Sequence, residues 1–155
     1  IFETNSFLIS KKVSLIEYAA FFGSSQIFKY LYLNHAILQS TIWPYAIHGR
    51  HPEIITILEE QKLIPNGSFF QQYFAESIKC HHVEITNYLL DNYNQLTLEN
   101  QQVNLLILKT RNYSFLPNEL NKDYLFFYLC RYNYVQLVTI LLKTMKVDAN
   151  KEIIS

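Results

Sequence analysis

A chain of 155 residues can bury one sizeable core or form one segment of a repeat array, and it is short for two unrelated domains. Lys and Arg together number 13 and so do Asp and Glu, mixed without a run of one sign, which argues against nucleic acid or an anionic membrane as the main partner. Cys80 and Cys130 stand far apart in apolar stretches, so a reducing cytoplasmic or nuclear setting is expected rather than a disulfide scaffold.

No apolar run approaches the roughly 18 residues of a membrane helix, and no charged and apolar signal segment opens the chain. It begins at Ile1 rather than Met and closes on a polar stretch, Lys146 to Ser155, so a piece of a longer protein is expected.

The first predicted element runs from Ser14 to Leu31. Ser14 and Glu17 have the spacing of a capping box, in which each side chain satisfies an orphan backbone N–H at a helix start. Ala19 and Ala20 are small enough for a neighbouring helix to approach, and Gly23 can take the positive φ of a tight helix-to-helix turn. Beyond it Ile27, Tyr30 and Leu31 recur at helical spacing. The unit is an αα-hairpin with one apolar face.

The same frame returns from Thr41 to Leu58, with Ala46 in the place of Ala19, and again from Gln72 to Leu90, with Ser77 and Ile78 for the two alanines. A last copy spans Tyr124 to Leu142, where Leu129 and Cys130 replace the alanines and Asn133 takes the glycine's place. Between the third and fourth copies a helix is predicted over Leu98 to Lys109, after which Pro117 should halt any second helix near Leu116.

This pattern resembles the ankyrin repeat. The matching residues are Ser14, Ala19, Ala20, Gly23, Ile27, Leu31 and Ala36; then Thr41, Ala46, His51, Glu53, Ile54 and Leu58; then His82, Glu84, Ile85, Leu89 and Leu90; and last Leu137, Val138, Leu141, Leu142, Asp148 and Asn150. In detail the stretches Ile16 to Gly23, Tyr45 to Gly49, Glu76 to His82 and Tyr128 to Tyr132 are similar to an ankyrin-like domain, without an assigned function, of large protozoan ankyrin proteins. The resemblance implies one all-α domain over 1–155, a solenoid of degenerate helix-turn-helix repeats at 14–38, 41–63, 72–94 and 124–150 with an eroded unit at 97–122. It also implies more regular ankyrin repeats downstream.

Ankyrin units recur about every 33 residues, whereas Ala19 and Ala46 are 27 apart and Ala46 and Ser77 are 31 apart. The β-hairpin fingers should therefore be short or missing, above all around His35 to Ser40.

Candidate chemistry is sparse. His48 to His51 and Lys79 to His82 are the places where metal-ligand residues gather, but zinc needs three or four ligands of fixed geometry. The ankyrin resemblance already gives His51 and His82 a structural place at the start of second helices. A nucleophilic pair of Cys80 with His81 or His82 fails because adjacent helical residues point apart and no orienting group is evident. With 3 Gly in the chain a phosphate-cradling loop is nearly excluded. No metal, no cofactor and no enzymatic activity are expected.

The resemblance points instead to a protein-binding groove on the exposed face of the first helices, with slots at Tyr18, Tyr45, His48, Glu76, Lys79, Tyr128, Arg131 and Tyr132. Phe21 and Phe22 share that row but are expected to pack in the space left by missing fingers. The expected function is a protein-interaction module; the alternative is an N-terminal capping and spacing segment for a longer ankyrin array.

Overall fold

Helix termination explains most of the architecture. In the computed structural model, which describes residues 3, 5–9, 11–63, 67–93, 101–116 and 122–144, every regular element is helical. The α-helices are α1 (Leu15–Phe21), α2 (Ser25–Leu33), α3 (Trp43–Gly49), α4 (Pro52–Glu60), α5 (Gly67–Lys79), α6 (Val83–Tyr93), α7 (Gln101–Thr110), α8 (Lys122–Arg131) and α9 (Val135–Thr144). Two 3-10 turns, Ser40–Ile42 and Tyr113–Phe115, complete the set.

The capping box at the start of α1 is formed in both directions, with the Ser14 N–H donating to Glu17 Oε2 at 2.8 Å and the Glu17 N–H to Ser14 Oγ at 3.4 Å. Its other end closes on Gly23 at φ 64°. There the Gly23 N–H donates to Ala20 and the Ser24 N–H to Ala19, which satisfies the last carbonyls of the helix. The same closure recurs wherever a first helix ends: Arg50, His81, Arg111 and Asn133 all have φ between 50° and 60°. Asn133 thus occupies the left-handed turn expected of it. The prolines at the starts of α3 and α4 lie where the missing N–H is unneeded.

The chain gathers into two compact units, Ile1–Leu96 and Thr97–Ser155. In the first, α1 packs on α2 and α3, α3 on α5, and α5 on α6. Ala20 and Ala46 are fully buried, and their small side chains let α1 and α3 come close. Around them Phe28, Trp43, Ile47, Ile54, Leu58 and Leu89 are fully buried. Burying each such side chain stabilises by about 1.5–3 kcal/mol. Trp43 stacks on Tyr73 with ring centroids 6.1 Å apart, its indole N–H donates to the Leu63 carbonyl, and the Tyr73 hydroxyl donates to the Ser40 carbonyl at 2.7 Å.

Helix α5 starts earlier than the repeat pattern predicts. Phe70, Tyr73, Phe74, Ser77 and Ile78 are all buried and follow the 3.6-residue period, so the helix carries one continuous inward stripe. Ser77 holds its alanine slot without an unpaired hydroxyl, donating to the Phe74 carbonyl at 2.8 Å and lying 2.9 Å from Thr86 Oγ1. Residues 34–39 contain no strand.

In the second unit Leu108, Leu129 and Leu141 form a core against which Leu125, Tyr128, Tyr134 and Val138 pack. After α7 the chain makes only the short 3-10 turn, and Leu116 is already extended at ψ 124°, as a residue before proline must be. Leu98, Pro117, Asp148 and Asn150 lie outside the described residues, as do the repeat boundaries at 94, 97 and 150. Among the described residues no helix is long and apolar enough to cross a membrane.

Candidate functional site

The first helices of three successive hairpins, α1, α3 and α5, lie side by side in the first unit. Their matching positions therefore form rows across one face. Phe21 of α1 stacks on His48 of α3 at 4.8 Å, and His48 Nε2 lies 2.9 Å from Glu76 Oε1 of α5. Glu76 in turn takes a hydrogen bond from Lys79 at its other oxygen, Oε2, at 3.2 Å. The structure thus joins His48, Glu76 and Lys79 into one polar ladder with Phe21 at its end.

Phe7 and Lys11 lie across this face, which no periodicity argument could show. The Phe7 ring is 4.1 Å from that of His48, 5.5 Å from Phe21 and 5.4 Å from Tyr45. Lys11 Nζ sits 3.2 Å above the Phe7 ring and 5.5 Å above Tyr45. Burial lowers the Lys11 ammonium below its ordinary pKa, opposed by the nearby Glu76 charge.

Tyr45 is consequently not a surface slot. Only 7% of it is exposed, and its ring is enclosed by Phe7 and Lys11, so burial and the Glu17 charge raise its phenol pKa. Tyr18 and Phe22 behave in the opposite way, with 42% and 54% exposed and their rings 4.8 Å apart. Phe21 is buried as expected, while Phe22 departs from the packed role expected for it: as the C-cap of α1 it has already left the helix face that meets α3. Tyr18 donates its hydroxyl to Glu3 Oε2 at 2.8 Å.

In the second unit Arg131 is exposed, whereas Tyr128 is half-buried against the leucine core and Tyr132 is half-buried with its ring 6.1 Å from that of Tyr134. Arg131 is the most accessible of the three expected slots.

The histidines and cysteine fall into place differently from the pairs that adjacency suggests. Cys80 Sγ lies 3.5 Å from both ring nitrogens of His48, and the donor atoms of His48, Glu76 and Cys80 all lie within 4.8 Å of one another. The fold thus gathers three metal-ligating side chains that adjacency in the sequence does not pair. One signal was available: Cys80 follows α5 directly and stands four residues after Glu76, so the two share a face. The third donor comes from 28 residues away, which local spacing does not reveal.

The hydrogen bond to His48 holds the Glu76 carboxyl below its usual pKa. Burial and the Glu76 charge push the Cys80 thiol up to about 12. A thiol so protonated is a poor nucleophile at neutral pH. Burial lowers the pKa of His82, opposed by its hydrogen bond to the His48 backbone. His51 precedes α4 without a side-chain capping bond, and its Nδ1 is buried without a partner in the structure. His81 is the left-handed residue of its turn.

A separate cleft of about 390 Å³ opens between α4 and α6, lined by Arg50, Ile55, Glu84 and Tyr88 among others. Arg50 Nη2 and Glu84 Oε1 form an ion pair there at 2.8 Å.

No protein-family model matches the chain, and neither a curated protein nor a solved structure matches it. Any functional assignment rests on the residues themselves.

Proposed function

We propose that the chain is a protein-interaction module of the ankyrin type, a solenoid of degenerate helical hairpins without catalytic activity of its own, working in the cytoplasm or nucleus. The observation that carries this reading is the alignment of α1, α3 and α5 into one face, with Tyr18 and Phe22 exposed at its edge. Paired aromatics on a rigid helix are the groups that anchor protein interfaces, because they offer large contact area at low entropic cost. Lys79 and Arg131 add exposed charge on first helices.

A photocrosslinking side chain placed at Phe22 should capture a protein partner, while the same group at exposed Thr56 of α4 should not. Equal capture at the two positions would sink the assignment of the binding face.

The capping and spacing alternative is favoured by α9, which buries Leu141 but leaves Val135, Ile140 and Leu142 exposed. Further ankyrin repeats downstream would cover them, since each solenoid unit finishes the face of its neighbour. Hydrogen exchange of α9 in a chain extended by its natural downstream sequence discriminates the two: strong added protection supports the spacer, and unchanged exchange refutes it.

A further inference from the structure

We propose that His48, Glu76 and Cys80 form a binding site for a zinc-class divalent cation, independent of whichever partner the helix face engages. The three donors arrive on two packed helices, which is what fixes a site in place. His48 stands in the last turn of α3; Glu76 lies in the last turn of α5, and Cys80 follows directly, its N–H still bonded to the Glu76 carbonyl at 3.0 Å. A carboxylate and a thiol four residues apart therefore face the same imidazole.

The three donor atoms lie within 4.8 Å of one another, close enough for modest side-chain rotation to bring them around one small ion. Donors that share a tetrahedral zinc are about 3.3–3.6 Å apart, given bond lengths of about 2.0–2.3 Å. Cys80 Sγ is 3.5 Å from both His48 nitrogens, over the ring, so the imidazole turns to aim one nitrogen at an ion shared with the sulfur. His48 Nε2 and Glu76 Oε1, at 2.9 Å, are drawn together by a hydrogen bond and would open by about half an ångström as the ion took the place of the shared proton, which a neutral imidazole carries on Nδ1 instead and an imidazolium releases to solvent.

Charge and softness select the ion. A neutral imidazole, one carboxylate and one thiolate carry two negative charges, which a divalent cation neutralises; the thiol proton leaves to solvent as the metal–sulfur bond forms. Thiolate with imidazole favours zinc or cobalt, while magnesium and calcium demand oxygen donors. The surroundings orient the donors: Lys79 holds Glu76 Oε2 and leaves Oε1 for the site, and the Phe7 and Phe21 rings lie against the imidazole. All three ligands are half-buried, so a fourth position stays open to water or another donor.

Cobalt(II) titration of the intact chain tests this directly, because a cobalt–thiolate bond gives a charge-transfer absorption that no oxygen or imidazole site produces. A band that saturates at one equivalent is expected, and zinc, but not magnesium, should bleach it. Cys130→Ser should keep the band, since that exposed thiol takes no part, and Cys80→Ser should abolish it. His48→Gln and Glu76→Gln should each weaken affinity by about tenfold or more. No saturable band in the unaltered chain would overturn the proposal, as would a band that disappears with Cys130 and survives without Cys80.

Discussion

Gly49 of α3 lies directly beneath the Ala20 carbonyl of α1: a Cβ added to Gly49 would fall 1.9 Å from that oxygen and 2.8 Å from the Gly23 nitrogen. Both atoms belong to backbone, so neither can swing aside. Gly49 itself has no left-handed conformation to maintain, and its demand is purely one of close approach. Gly49→Ala should therefore force α1 and α3 apart and destabilise by about 1–3 kcal/mol, the usual range for overpacking. A lowered urea midpoint checks this, and an unchanged midpoint would show that the two helices do not meet here.

The two turns of Gly23 and Asn133 should respond oppositely to substitution. Gly23→Val adds a β-branched side chain at φ 64° and places its Cβ 2.5 Å from the Gly49 carbonyl oxygen, so a loss of more than about 1 kcal/mol is expected. Asn133→Gly relieves a left-handed backbone at φ 57° and should be neutral or mildly stabilising. Thermal unfolding of both variants tests the shared turn, and a damaging Asn133→Gly would contradict it.

Alkali should loosen the contact between α4 and α6. The Tyr88 hydroxyl donates to Glu59 Oε1 at 2.6 Å, and that of Tyr93 donates to the same oxygen. Burial, followed by the Glu59 hydrogen bond and charge, pushes the Tyr88 phenol up to about 12 and raises Tyr93 further still. Groups that hold their proton more tightly when folded contribute stability that is complete below the ordinary phenol pKa of 10.0 and lost as pH climbs toward the folded value. Two tyrosines should thus ionise later than the others in an ultraviolet titration. In Glu59→Gln, which keeps an acceptor but removes the charge, both should ionise at lower pH; identical curves would refute the pairing.

Trp43, fully buried with its indole N–H bonded to Leu63, anchors the first unit. Trp43→Ala should cost about 3–5 kcal/mol. As the lone tryptophan, Trp43 should emit at short wavelength in the folded chain and shift to the red on unfolding. A native spectrum already at long wavelength would place the ring in water.

Tyr18→Ala should change stability by less than about 0.5 kcal/mol, because the residue lies on the exposed face and leaves no cavity in the core. Partner capture through Phe22 should nonetheless fall when Tyr18 is removed, since the two rings form one patch at 4.8 Å. Undiminished capture with stability intact would exclude Tyr18 from the interface.

What could be read along the chain was what depends on neighbours within four or five residues. The Ser14 and Glu17 capping box, the left-handed turns at Gly23 and Asn133 and the extended Leu116 ahead of a proline are all local, and each is in place. The apolar face read for α2 is not: Ile27 and Tyr30 are exposed, and Phe28 is the side chain that α2 buries. The placement of side chains across helices is different in kind. Tyr45 was expected on the surface because its helical slot faces outward, yet Phe7 and Lys11, which precede the first helix, cover it in a way that no period encodes. The convergence of His48 on Glu76 and Cys80 and the need for glycine at 49 likewise arise only when separate helices dock. Hydrogen bonding within one helix is written into consecutive residues, whereas the distance between two helices is set by how their side chains interlock, and that sum is settled only in the folded chain.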